Sequence, residues 1–261
     1  MTTTPSSEKR NSPARGVYLL PNLITIGSMF AGFYVIILSA DGNFERAAWF
    51  ILVSGILDGL DGKVARLTGT SSKFGVELDS LADVIAFGVA PGVLMYTWAL
   101  RDFGKLGWLA AFLFVACGAL RLARFNVQVS TVESRRFVGL PIPAAASIIA
   151  TCVLLFYELG GSGTVRQVSI MLLIYVLALL MVSNVSYYSF KDPALFKRQP
   201  FFFLVLAIIL LISIVAKPVY MLFTIGCLYL ISGPIWTLKL KKNRKKTSIH
   251  GSGRRRRSLM T

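Results

Sequence analysis

The sequence predicts an all-α integral membrane protein with about eight transmembrane helices. Three observations predict it. The 261 residues are 55% hydrophobic and only 15% charged, against roughly 25% charged in a soluble domain. Apolar runs long enough to span a bilayer, about 20 residues each, recur from end to end. The basic residues also segregate by side once those runs are counted as helices.

The polar N-terminal segment, residues 1–17, is expected to be disordered. No small-residue cleavage site follows the first apolar run, so no cleavable signal peptide is expected. The spans then follow at roughly 18–40, 46–66, 78–100, 106–126, 140–160, 166–186, 201–216 and 218–238. Lys217-Pro218 separates the seventh from the eighth. The two together are too long for one crossing, which favours a helical hairpin. With eight spans both termini share a side. That side collects 23 Lys or Arg: the N-terminus, the stretches 63–73, 121–136 and 191–198, and the C-terminal tail. The other side holds five, namely Arg46, Arg101, Lys105, Arg166 and Lys217. The excess of basic residues marks the first side as cytoplasmic.

Composition also excludes some chemistry. Cys117, Cys152 and Cys227 all lie inside apolar runs and read as small buried hydrophobes. There is no disulfide framework and no zinc spacing. The single histidine, His250, sits in the polar tail, which argues against histidine-based catalysis or metal binding. The tail, residues 239–261, carries ten Lys or Arg and no acid. It reads as a disordered cytoplasmic segment resting on anionic membrane lipid rather than as a nucleic-acid binder.

Acids are scarce, yet five of the twelve fall between residues 58 and 83: Asp58, Asp61, Glu77, Asp79 and Asp83. Asp58 and Asp61 are three apart and Asp79 and Asp83 four apart, so each pair shares a helix face. The second helix descends to the cytoplasm and the third returns, which brings the pairs to one depth. Four carboxylates at close range repel one another and are poorly solvated. Divalent cations relieve that cost, and oxygen-only ligands without His or Cys suit a hard ion, Mg²⁺ or Mn²⁺. Four acids around two ions suit phosphoryl displacement. Glu77 is off the pattern and is expected in solvent at the helix start.

The intervening residues suit a phosphate ligand. Gly62 and Ala65 lie on the Asp58 face and allow close approach. Arg66 is placed to clamp a diphosphate. Ser71, Ser72 and Gly75 precede the third helix, whose first amides favour an anion; Ser72 reads equally well as a simple cap. DGKVAR lacks the glycine spacing of a P-loop.

The pattern D-x2-D-G-x2-A-R-x8-G-x3-D-x3-D, filled by Asp58, Asp61, Gly62, Ala65, Arg66, Gly75, Asp79 and Asp83, resembles the signature of the CDP-alcohol phosphatidyltransferases. The resemblance implies a six-helix membrane core, usually homodimeric, with the site open to the cytoplasm. It implies that Asp58, Asp61 and Asp79 hold a two-ion metal centre, and that Asp83 ligates metal and acts as the catalytic base. It implies that Asn22, Gly62, Ala65, Arg66, Ser72 and Gly75 bind the CDP-diacylglycerol donor. Further segments are similar to the bacterial, membrane-embedded, serine-using branch of that family. They are PNLITIGSMFAGF in helix one, RLARFNV closing helix four, GLPIPAAA opening helix five and MVSNVSYYSFKD ending helix six. The resemblance thus covers residues 18–192 as a catalytic core in the bacterial inner membrane, with a C-terminal helix pair at 193–238 added to it.

L-Serine as acceptor carries a carboxylate, and a cation should meet it. Arg121 and Arg124, at i,i+3 with Asn126 nearby, are the first candidates. Arg135, Arg136 and Lys191 are further ones. The alternative is that these arginines anchor to lipid phosphates. Other acceptors within the family are glycerol 3-phosphate, inositol phosphate or choline. An ion transporter is the rival from another class, although its acids belong near the midplane of several helices. Gly55-xxx-Gly59 and Gly88-xxx-Gly92 suit close helix packing, within one chain or across a homodimer.

Overall fold

The computed structural model describes residues 19–69, 72–129, 137–187 and 200–257. Eight helical rods follow one another among these residues. They are α1 (Leu19–Ala40), α2 (Phe44–Thr68), α3 (Lys73–Phe103), α4 (Lys105–Val129), α5 (Ile142–Glu158), α6 (Val168–Val182), α7 (Pro200–Ala216) and α8 (Pro218–Arg257). The one extended pairing among the described residues is a two-residue antiparallel ladder, β1 (Phe137–Val138) with β2 (Ser186–Tyr187). The fold class is therefore all-α, as the composition predicts. α1, α3, α4 and the 218–237 part of α8 are each long and apolar enough to cross a membrane, and three shorter apolar helices accompany them. The chain is a multi-pass membrane protein.

α1 and α2 form the most extensive helix–helix seam. Its polar centre is a buried serine pair: the Ser28 and Ser54 hydroxyls lie 2.8 Å apart, and Ser54 Oγ also donates to the Ser28 carbonyl at 3.0 Å. Small side chains and an interhelical hydrogen bond hold helices together where lipid offers no hydrophobic drive. The same logic applies where α1 crosses α3. A Cβ on Gly32 would sit 2.6 Å from the Ala86 Cα, so only glycine permits the crossing.

α3 is not one regular helix. It runs as α-helix over Lys73–Asp83, opens into a π-helical turn over Val84–Val89, and does so again over Tyr96–Leu100. It starts at Lys73 rather than near residue 78 because Ser72 caps it, accepting from the Gly75 amide at 2.9 Å. Phe87 of the first π turn, Leu94 and Trp98 join Phe114 of α4 and Ile149 and Leu154 of α5 in the core.

The helix break falls at Lys217, as expected. α7 is exposed along almost its entire length and touches α8 much less than α1 touches α2. α8 instead docks on α5 and on β2. The expectation of a disordered basic tail is corrected: α8 continues as helix to Arg257. Lys and Arg are good helix formers, and extending an existing helix needs no new nucleus. Glycines at 88 and 92 pack inside the chain, against Ile142 and Val115, whereas a Cβ at Gly59 would meet nothing within 4 Å.

Candidate active site

The quartet converges. Asp58 and Asp61 lie in the last turns of α2, Asp79 and Asp83 in the first turns of α3, and the connection between the two helices is short. Asp58, Asp61 and Asp79 each offer a carboxylate oxygen, and the three oxygens lie within 4.8 Å of one another. Asp83 stands outside that trio, but its carboxyl is within hydrogen-bonding reach of Asp58. Three carboxylates sharing so small a space are the donor set of a hard divalent cation, and the residues present fit one.

Beside the trio opens a pocket of about 180 Å³. Asn22, Gly62, Ala65, Arg66, Ser72 and Gly75, the six residues that the resemblance assigns to the donor, all line it, together with Asp61 and Asp79. Local structure explains the openness. Gly69 ends α2 in the left-handed conformation, φ 63°, with its amide bonded to the Ala65 carbonyl. That abrupt stop turns the chain back into α3. A Cβ at Gly75 would come within 3.1 Å of Asn22 Oδ1 and 3.2 Å of Ser72 Oγ, so a side chain there would crowd the pocket wall. Ser72 is thus both a cap and a wall residue. Arg66 is exposed, and its Nε donates to the Gly62 carbonyl at 2.9 Å, which holds the side chain along the pocket rim. Glu77 is exposed.

Sequence reasoning missed Thr25. It is buried, lines the pocket, and its hydroxyl donates to Asp61 Oδ2 at 2.7 Å. It stands three residues after Asn22, on the same face of α1, a spacing that does not by itself mark it out.

The acceptor candidates separate. Arg121 is buried, and Tyr229 and Asp83 are its electrostatic neighbours. Arg124 is exposed and donates to Asn184 Oδ1 at 3.0 Å. Asn126 donates to Ser80 Oγ at 2.8 Å, on the α3 turn between Asp79 and Asp83. With the β1–β2 ladder, these bonds tie the end of α4, the GLPIP stretch and the SNVSY stretch into one layer beside the quartet. Ser71, Arg135, Arg136 and Lys191 lie outside the described residues.

A family model described as CDP-alcohol phosphatidyltransferase matches residues 18–182. The chain belongs to this family. Members of the CDP-alcohol phosphatidyltransferase family depend on divalent metal, and the aspartate cluster is compatible with that dependence. The chain is 43% identical over 234 residues to a CDP-diacylglycerol–serine O-phosphatidyltransferase of Helicobacter pylori, a match covering 88% of this chain and 96% of that one. It is 41% identical over 170 residues to an archaetidylserine synthase of Methanothermobacter thermautotrophicus, covering 64% and 69%. It is 35% identical over 175 residues to a CDP-diacylglycerol–serine O-phosphatidyltransferase of Bacillus subtilis, covering 67% and 93%.

Proposed function

We propose that this protein transfers the phosphatidyl group of CDP-diacylglycerol to the hydroxyl of L-serine, giving phosphatidylserine and CMP. The observation that carries the reading is the convergence of Asp58, Asp61, Asp79 and Asp83 beside a pocket that Asp61 and Asp79 line together with all six donor-assigned residues. The 43% identity to a serine-using relative, along nearly the full length of both chains, supports serine as acceptor.

In this reading Asp58, Asp61 and Asp79 hold divalent metal, Mg²⁺ or Mn²⁺ as two ions, with Asp83 as the fourth ligand. When bound, the metal supplies charge neutralisation for the diphosphate and the leaving CMP. Gly62, Ala65 and Gly75 leave room for the nucleotide, and Asn22 and Ser72 offer it polar contacts. Arg66 on the rim balances diphosphate charge. Asp83 takes the proton of the serine hydroxyl as its oxygen attacks phosphorus. The new P–O bond to serine forms as the P–O bond to CMP breaks, and the proton leaves Asp83 for cytoplasmic water. Thr25 keeps Asp61 in one orientation.

The same reading places the protein in the bacterial inner membrane, with both termini and the active site cytoplasmic, because the basic residues gather on that side. The α8 extension then lies against anionic lipid. A homodimer has the outward Gly59 face of α2 available for close contact. The deciding experiment is CMP release by purified protein from CDP-diacylglycerol with serine, glycerol 3-phosphate or no acceptor. Release driven by glycerol 3-phosphate and not by serine would overturn the assignment.

A further inference from the structure

Arg121 is the only buried cation among the described residues: it is 8% exposed, and its Nε is buried without a hydrogen-bond partner. A buried charge left unpaired is costly, and proteins keep one where something supplies a counter-charge. Tyr229 and Asp83 lie near Arg121. Asp83 is already engaged with Asp58. The unpartnered Nε of Arg121 is therefore open to a ligand's acceptor oxygen, next to the acid that acts on the acceptor.

Tyr229 comes from α8, well beyond residues 18–182 that the family model matches. Its position is fixed by packing. A Cβ on Gly226 would come within 3.1 Å of Ile148 on α5, and a Cβ on Gly233 would run into the Tyr187 ring. Two glycines thus let α8 lie close on α5 and β2. Tyr187 is 2% exposed and donates to the Leu230 carbonyl at 3.5 Å. Its ring stands 5.2 Å from that of Tyr229, tilted by 34°. The tyrosine is half-buried and held on one side by a fixed ring, with its polar end in the field of Arg121.

We propose that Tyr229 is a specificity-determining residue for the acceptor, its hydroxyl and the Arg121 guanidinium together receiving the acceptor's carboxylate beside Asp83. The inference rests on the reading of serine as acceptor. A carboxylate accepts bonds from both donors and neutralises the buried guanidinium. Anchored there, a molecule as short as serine presents its hydroxyl toward Asp83. Ethanolamine has the same hydroxyl and amine but no carboxylate, so it leaves Arg121 unpaired and is rejected by that cost. The active centre is then incomplete within helices one to six, and α8 supplies a wall of the acceptor site.

The test is Tyr229→Phe in the full-length protein in mixed micelles, which keeps the ring against Tyr187 and removes the hydroxyl. Loss of one bond to a charged group should raise the serine KM by roughly tenfold or more. The KM for CDP-diacylglycerol should stay within about twofold, and the preference for serine over ethanolamine should fall by a similar roughly tenfold. Arg121→Lys should also erode that preference. An unchanged serine KM and preference in Tyr229→Phe overturns the inference while wild-type serine transfer still stands. A uniform loss with both acceptors, accompanied by a lower Tm, also overturns it, since that is what a packing role gives. If the wild type does not use serine at all, the functional reading itself fails, whatever Tyr229 does.

Discussion

The donor and acceptor sides of Asp83 are built differently. On the proposed donor side, Gly62, Ala65, Arg66, Ser72 and Gly75 come from one helix–turn–helix, and Pro21, Asn22 and Thr25 are recruited from α1. On the proposed acceptor side, Arg121 is on α4 and Tyr229 is on α8. The nucleotide and its diphosphate ask for features that a short segment can supply: glycine openings, a helix start and fixed acids. A small zwitterion asks for a cation and a hydroxyl placed around it, and three-dimensional packing has to gather those. On this proposal, chemistry common to a family sits in a contiguous segment, while acceptor choice is spread over helices that meet only in the fold.

The largest effect belongs to the centre both sides share. Removing divalent cation by exhaustive chelation should reduce CMP release to background, and adding Mg²⁺ or Mn²⁺ should restore it. Full activity after chelation would break the reading of Asp58, Asp61 and Asp79 as ligands. Next comes Asp83→Asn, which should leave the fold and metal binding largely intact but lower turnover by about a hundredfold or more, the scale of lost base catalysis. Near-normal turnover would remove Asp83 from the base role and shift attention to the acceptor side alone.

A smaller effect tests the donor side. Thr25→Val keeps the shape of a buried residue and removes the hydroxyl that donates to Asp61. Groups that orient a metal ligand typically contribute ten- to a hundredfold in metal affinity. The metal concentration for half-maximal activity should therefore rise by roughly tenfold, with serine preference unchanged. A change in serine preference instead would show that the two sides are not separable.

What was legible in the sequence follows the same division. The quartet could be read because its spacings of three and four residues report helix faces directly, and the two helices are adjacent in the chain. The fold class could be read because span length is set by the bilayer. Thr25 could not be singled out, since a threonine in an apolar helix ordinarily bonds its own backbone, as Thr25 also does with the Pro21 carbonyl. Its second partner, Asp61, is on another helix. Tyr229 was invisible for a similar reason: a tyrosine in an apolar span reads as an interfacial anchor, and nothing in its own segment points to Arg121. The π turn at Val84–Val89 leaves no mark in an apolar run, though it begins at the residue after Asp83 and re-aims everything downstream of it.

The smallest effect is expected at the far end of α8, which carries charge but belongs to neither side. From Lys239 onward the chain has ten basic residues and no acid, and the helix runs on to Arg257 with no apolar stripe to bury. A continuous basic helix leaving the bilayer is suited to lying on anionic headgroups, where each basic residue near the surface contributes about 1 kcal/mol. Such attraction is screened by salt within roughly 10 Å, so it acts on membrane attachment rather than on a site enclosed by α1 to α6 and Tyr229. Truncation after Leu238 keeps Tyr229 and Gly233, and with them the docking of α8 on β2. Turnover in neutral detergent micelles should change by less than about twofold, while stimulation by anionic lipid and its loss at high salt should both diminish. A truncated protein that inserts normally but no longer releases CMP would place part of the active centre in the tail. The acceptor side would then extend beyond Tyr229.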